Sequence, residues 1–212
     1  MNRLKFNQLI HSKLMNSSVA LRLFILLVTV FAIAPSTPSF KYLIADSMAF
    51  HMLAQIPLLI LAGYLIGRYF KLQFIIFNPI IGFDPNASSN STSLYIVLSC
   101  WFWFLFATLF WMLPISLDKA LLSDGWDFFK IISLMLSGLL LTVALSSSKI
   151  LSLFFIGSTV MMLFFIGYYY QDTTLRLCNS YLIESQQSAG IGLIAMAFAI
   201  LILCGIALYK ET

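Results

Sequence analysis

Residues 94–114 read LYIVLSCWFWFLFATLFWMLP, and no charged side chain interrupts the run from Leu94 to Pro114. A hydrocarbon core of about 30 Å is crossed by roughly 20 apolar residues at about 1.5 Å rise each. The stretch therefore predicts a membrane-spanning helix. Working outward, residues 19–34 and 46–68 before it, and 128–146, 150–170 and 188–209 after it, have the same character. The expectation is an all-α, polytopic membrane helix bundle of about six transmembrane helices, with residues 1–212 forming a single integral membrane domain. The first span is the shortest. It carries Arg22, and its Ala32-Ile33-Ala34 end looks like a signal-peptide cleavage site. It is read as an uncleaved first helix.

Composition agrees. The 212 residues are 61% hydrophobic and only 9% charged, whereas a soluble domain carries about 25% charged residues. The net charge of +4 arises from a scarcity of acids, 8 Asp and Glu against 12 Lys and Arg, and no basic cluster stands out. A nucleic-acid partner is excluded on that ground, and membrane lipids are the expected surroundings. Three Cys cannot build a disulfide framework. Walker loops, dinucleotide fingerprints, CxxC pairs and nucleophile elbows are missing from the sequence. No enzymatic activity is expected.

Orientation follows from the loop charges. With the N-terminus in the cytoplasm, that side gathers Arg3, Lys5, Lys13, Arg22, Arg68, Lys71, Lys149 and Lys210, and the other only Lys41, Lys119, Lys130 and Arg176. This is the positive-inside pattern, and it predicts both termini to be cytoplasmic. A bacterial inner membrane is the expected location. The small residues Gly63, Gly67, Ser137, Gly138, Gly157 and Ser158 are expected to let helices approach closely. The Trp residues and Tyr168–Tyr170 are expected at the membrane interfaces.

Polar side chains inside spans are costly and mark candidate sites. The second span opens Asp46-Ser-Met-Ala-Phe-His-Met-Leu-Ala-Gln-Ile-Pro57. Met48, His51 and Gln55 fall on one helical stripe, with Met52 beside it. Pro57 removes a backbone donor just below and predicts a kink. The third span ends Trp111-Met112-Leu113-Pro114, and the last begins Glu184-Ser185-Gln186-Gln187-Ser188-Ala189-Gly190 at the same outer face. An imidazole with thioethers is a donor set for a soft ion such as Cu(I).

These three elements resemble the CtaG-type integral membrane assembly factors of caa-type cytochrome c oxidase. The family opens one helix with HMxxH, ends the next with WHxP, and opens a late helix with DQ-x-x-AG. Here the counterparts are His51-Met52-Leu-Ala-Gln55, Trp111-Met112-Leu113-Pro114 and Ser185-Gln186-Gln187-Ser188-Ala189-Gly190. Leu136-Ser137-Gly138 matches a small-residue step between them. The likeness covers Ser47 to Ala195. The second His is replaced by Gln55, Met112 stands near the absent His of WHxP, and the Asp is Ser185 or Gln186.

The resemblance implies a role in the assembly or copper maturation of a membrane copper or haem-copper oxidase. Copper is then the expected cofactor, with His51, Met48, Met52 and Met112 as metal ligands. Gln55, Gln186 and Gln187 would orient them. The alternative is a non-catalytic accessory subunit packed against a larger respiratory oxidase or copper monooxygenase complex, which the lost His residues favour. A bis-histidine haem is disfavoured because His11 and His51 lie on opposite sides of the membrane in this topology.

Overall fold

The uncharged runs fold as helices. The computed structural model describes residues 22–36, 47–70, 90–145, 149–172 and 181–209, and among the described residues there is no strand. In chain order the helices are α1 (Arg22–Ile33), followed by a 3-10 turn at Ala34–Ser36, α2 (Met48–Tyr69), α3 (Asn90–Met112), α4 (Pro114–Leu122), α5 (Asp124–Ala144), α6 (Lys149–Asp172) and α7 (Ile183–Tyr209). Helices α2, α3, α5, α6 and α7 are long and apolar enough to cross a membrane. α1 is shorter, about 18 Å at 1.5 Å per residue. The rest of the predicted first span, residues 19–21, and His11 fall outside the described residues.

The sequence reading ended the third span at Pro114 and assigned no element before the next. The structure places α4 there. Leu113 is extended and breaks α3, and Pro114 then suits a first helical turn, where its missing N–H costs nothing. Ser116, Leu117 and Ala120 face inward while Ile115 and Leu122 are exposed at 68% and 82%. The Lys119 ammonium lies 5.1 Å from the centre of the Trp126 ring. An outward apolar face beside Trp and Lys suits the membrane interface.

Contacts show which helix ends meet. The Met48 N–H donates to Ser185 Oγ at 2.8 Å, and the Tyr170 hydroxyl donates to the Met112 carbonyl. At the opposite end Arg22 sits 5.5 Å over the Tyr69 ring. One end of the bundle therefore carries Asp118, Asp124, Asp127, Asp172 and Glu184 with Lys119 and Lys130. The other carries Arg22, Arg68 and Lys149 and, among the described residues, no acid. The positive-inside rule would put the basic end in the cytoplasm.

Two glycine contacts lock α2 against α5. A Cβ on Gly63 would lie 2.0 Å from the Met135 carbonyl oxygen, and one on Gly138 would lie 2.0 Å from that of Ile60. Gly67 meets Thr142 in the same seam, and Ser137 is fully buried. Gly157 was expected to join such a contact, but a Cβ there would meet nothing within 4 Å. Instead α6 and α7 close on Gly167 and Gly190, each against the other's carbonyl oxygen. α7 meets α2 mainly along Met48–Gln55. An apolar core at the acidic end and a second one around Trp101, Phe104 and Phe155 at the basic end complete the packing. Trp101, Trp111 and Tyr170, expected at interfaces, are buried. Their rings fill the spaces between helices.

Candidate functional site at the acidic end

The site begins in the first turns of α2. Ser47 Oγ accepts the Phe50 N–H and caps the helix. The chain then makes one π-helical turn over His51–Gln55, in which the Ile56 N–H reaches the His51 carbonyl. Pro57 follows directly and has no N–H to hold the α register. The kink expected at Pro57 takes this form, and single π turns of this kind recur at functional sites. Met48, His51, Met52 and Gln55 are all buried on this segment.

Gln55 is the hub. Its Oε1 accepts from Lys130 Nζ at 3.0 Å and faces His51 Nδ1 at 2.6 Å. An ammonium can only donate, so the amide oxygen must point this way. The imidazole therefore carries a proton on Nδ1 and donates it to that oxygen, and in a neutral ring Nε2 would hold the lone pair. The His51 ring also meets the Tyr181 ring edge to face at 6.1 Å. Lys130 is itself paired with Asp127 Oδ1 at 2.7 Å, and both side chains are buried.

The chain of contacts continues around the bundle. Trp111 Nε1 donates to Ser133 Oγ at 2.7 Å, and that hydroxyl donates to the Lys130 carbonyl at 3.1 Å. Gln186 Nε2 donates to the Tyr170 carbonyl at 3.4 Å. Together with the Tyr170–Met112 and Met48–Ser185 bonds, these contacts form a closed circuit. α2 is bonded to α5, α5 to α3, α3 to α6, α6 to α7, and α7 back to α2. All five spanning helices are tied at one level.

The three sequence elements thus meet at one end of the bundle. Met48, Met52 and Met112 pack in the apolar core there together with Trp111 and Tyr170. Gln187, expected to orient a ligand, is exposed and turned away, one residue past the buried Gln186. Sequence reasoning missed Asp127, Lys130, Ser133 and Tyr170 as members of the site. A signal was present in Asp127, Lys130, Ser133 and Ser137, which repeat every three or four residues along an apolar helix.

The donors at this end are the His51 imidazole and the thioethers of Met48, Met52 and Met112, and among the described residues no three His, Cys, Asp or Glu side chains converge. Comparison of the chain with protein-family models, curated proteins and solved structures gives no match.

Proposed function

We propose that the chain is a non-catalytic component with CtaG-like architecture, serving a membrane copper or haem-copper oxidase, or a copper monooxygenase, as an accessory and assembly protein in a bacterial inner membrane. The observation that carries this reading is the closed circuit. The positions that resemble the family's metal-site motifs are brought together, yet Gln55, Lys130 and Asp127 satisfy one another there. Such an arrangement fixes helix positions. A second reading, copper maturation, draws on the lone pair of His51 Nε2 and on the burial of Met48, Met52 and Met112 in the same core.

Gentle purification of the wild type and His51→Ala decides between them, with copper measured by elemental analysis and co-purifying subunits identified. The accessory reading expects oxidase or monooxygenase subunits with both proteins and little copper in either. Near-stoichiometric copper that is lost in His51→Ala would replace it with the second reading. Absence of any such oxidase subunit would refute the accessory role.

A further inference from the structure

Two locked helix pairs make up much of the bundle. Gly63 and Gly138 hold α2 to α5, and Gly167 and Gly190 hold α6 to α7. The pairs are joined at two levels. Toward the acidic end α7 packs on Met48–Gln55, where a Cβ on Gly192 would lie 2.0 Å from Leu53 Cδ1. Toward the basic end the Trp101 ring of α3 stacks on Phe155 of α6, with ring centres 5.1 Å apart. Between these joints lies a cavity of about 320 Å³. Ile56, Met112 and Leu163 close its floor and are at most 2% exposed, whereas Leu61 and Leu145 line its mouth at 41% and 38%.

Chemistry and shape select the occupant. The wall carries three hydroxyls, and each has a partner: Thr108 and Thr159 donate to the Phe104 and Phe155 carbonyls, and Tyr64 accepts from Arg68. The space therefore offers water too few polar groups, and cavities of this kind take apolar ligands. Gly67 of α2 faces Thr142 of α5, so the lining from Ile56 to Leu145 extends about 21 Å along the bundle. Over that length the volume gives a mean cross-section of about 15 Å², against about 80 Å² for a helix about 10 Å across. A palmitoyl chain, at roughly 1.3 Å per carbon, reaches about 20 Å and has this long, thin form. The mouth is continuous with the outward apolar surface at Phe198 and Leu201, where a bilayer supplies such chains. A second cavity of about 350 Å³ shares Leu145 and continues over Leu153, Ile156 and Ala207. It provides for the second chain of one diacyl lipid.

We infer that this cavity binds a diacyl phospholipid drawn from the leaflet at the basic end, with one acyl chain threaded between α2 and α7 and its methyl end at Met112 and Leu163. The inference does not depend on the role proposed above.

The test is photolabelling of the protein in phosphatidylcholine vesicles that contain a trace of phosphatidylcholine with a diazirine at the methyl end of one palmitoyl chain. Peptide mass spectrometry locates the adducts. Surrounding lipid reaches outward side chains such as Phe106, Phe165 and Phe198 but not the floor of the cavity. The wild type should carry adducts on Met112 or Leu163 as well as on outward residues. Thr159→Phe and Ile200→Phe, which fill the cavity from different helices, should each lose the floor adducts and keep the outward ones, while near-ultraviolet circular dichroism confirms that they are folded. Wild-type adducts confined to outward residues overturn the inference and leave the cavity to a protein segment. Undiminished floor labelling in the folded variants overturns the path assigned to the chain. Floor labelling by a palmitic acid probe equal to that by the phospholipid overturns the two-chain occupant.

Discussion

Replacing Lys130 by Met tests the hub of the circuit most directly. The ammonium makes two buried contacts, to Asp127 Oδ1 at 2.7 Å and Gln55 Oε1 at 3.0 Å. Hydrogen bonds to charged groups contribute about 1.5–3 kcal/mol each, so their joint loss costs roughly 3–6 kcal/mol. Breaking a buried ion pair by removing one partner costs about 3–5 kcal/mol by an independent route, because the remaining charge stays buried. The two ranges agree. For a chain of this size, a loss of 3–5 kcal/mol lowers Tm by about 6–20 °C. The double variant Asp127→Asn/Lys130→Met leaves no buried charge and should recover most of the loss, since replacing both members of such a pair is often neutral. Thermal unfolding in one fixed detergent or bicelle, read by near-ultraviolet circular dichroism, measures all the variants. If Lys130→Met unfolds within a degree of the wild type, or the double variant is as unstable as the single, then the pair does not hold the bundle and the reasoning fails.

Three further outcomes are expected. Gly138→Ala should destabilise by about 2 kcal/mol or more through overpacking, because its Cβ would meet backbone atoms of Ile60 and Tyr64. Gly157→Ala, in open space, should instead stabilise by up to about 1 kcal/mol from helix propensity. Equal Tm shifts of one sign would contradict the glycine seam. Trp111→Phe keeps the ring but loses the bond to Ser133 Oγ, and should cost about 1–3 kcal/mol by leaving a buried hydroxyl without its donor. A shift below the error of the melt would show that the bond is not made. In a cysteine-free background, Gly125→Cys should react with an impermeant thiol reagent on intact cells, and Lys149→Cys only after permeabilisation. The reverse pattern would invert the topology.

The fold was legible because hydropathy alone dictates it. Runs such as Leu94–Met112 have no soluble alternative, and the five spanning helices fall where the apolar stretches are. Their ends moved by a few residues, since Asp124 and Asp127 belong to the first turn of α5 although both are charged. α4 was hidden because nine residues between two spans, begun by a proline, look like a connection. The α2 stripe was read from local spacing, and His51, Gln55, Met48 and Met52 are buried together as that spacing implies. What faces the stripe was not legible. Lys130 is 75 residues from Gln55 in the chain, and no local pattern records that pairing. Counting Lys130 among the loop charges treated as solvent-exposed a side chain that the structure buries. The glycines divide in the same way. Gly63 and Gly138 looked like contact residues and are, while Gly157 looked identical and faces open space, because which side of a helix meets a neighbour depends on tertiary packing.

That Asp127 and Lys130 sit one turn apart on the same helix bears on how the protein enters the membrane during synthesis. A lone Lys costs about 2.5–3.5 kcal/mol at the centre of an inserting helix and less toward its end, where Lys130 sits, and Gln55 can relieve that cost only once α2 and α5 have come together. α5 needs no such partner at that moment. It brings its own counter-charge, so the segment leaves the translocation machinery nearly neutral at this level and waits in the bilayer at little penalty. The bond to Gln55 then forms as a later, lateral event, and it rewards only the α2–α5 registry in which Gly63 lies against Met135 and Gly138 against Ile60.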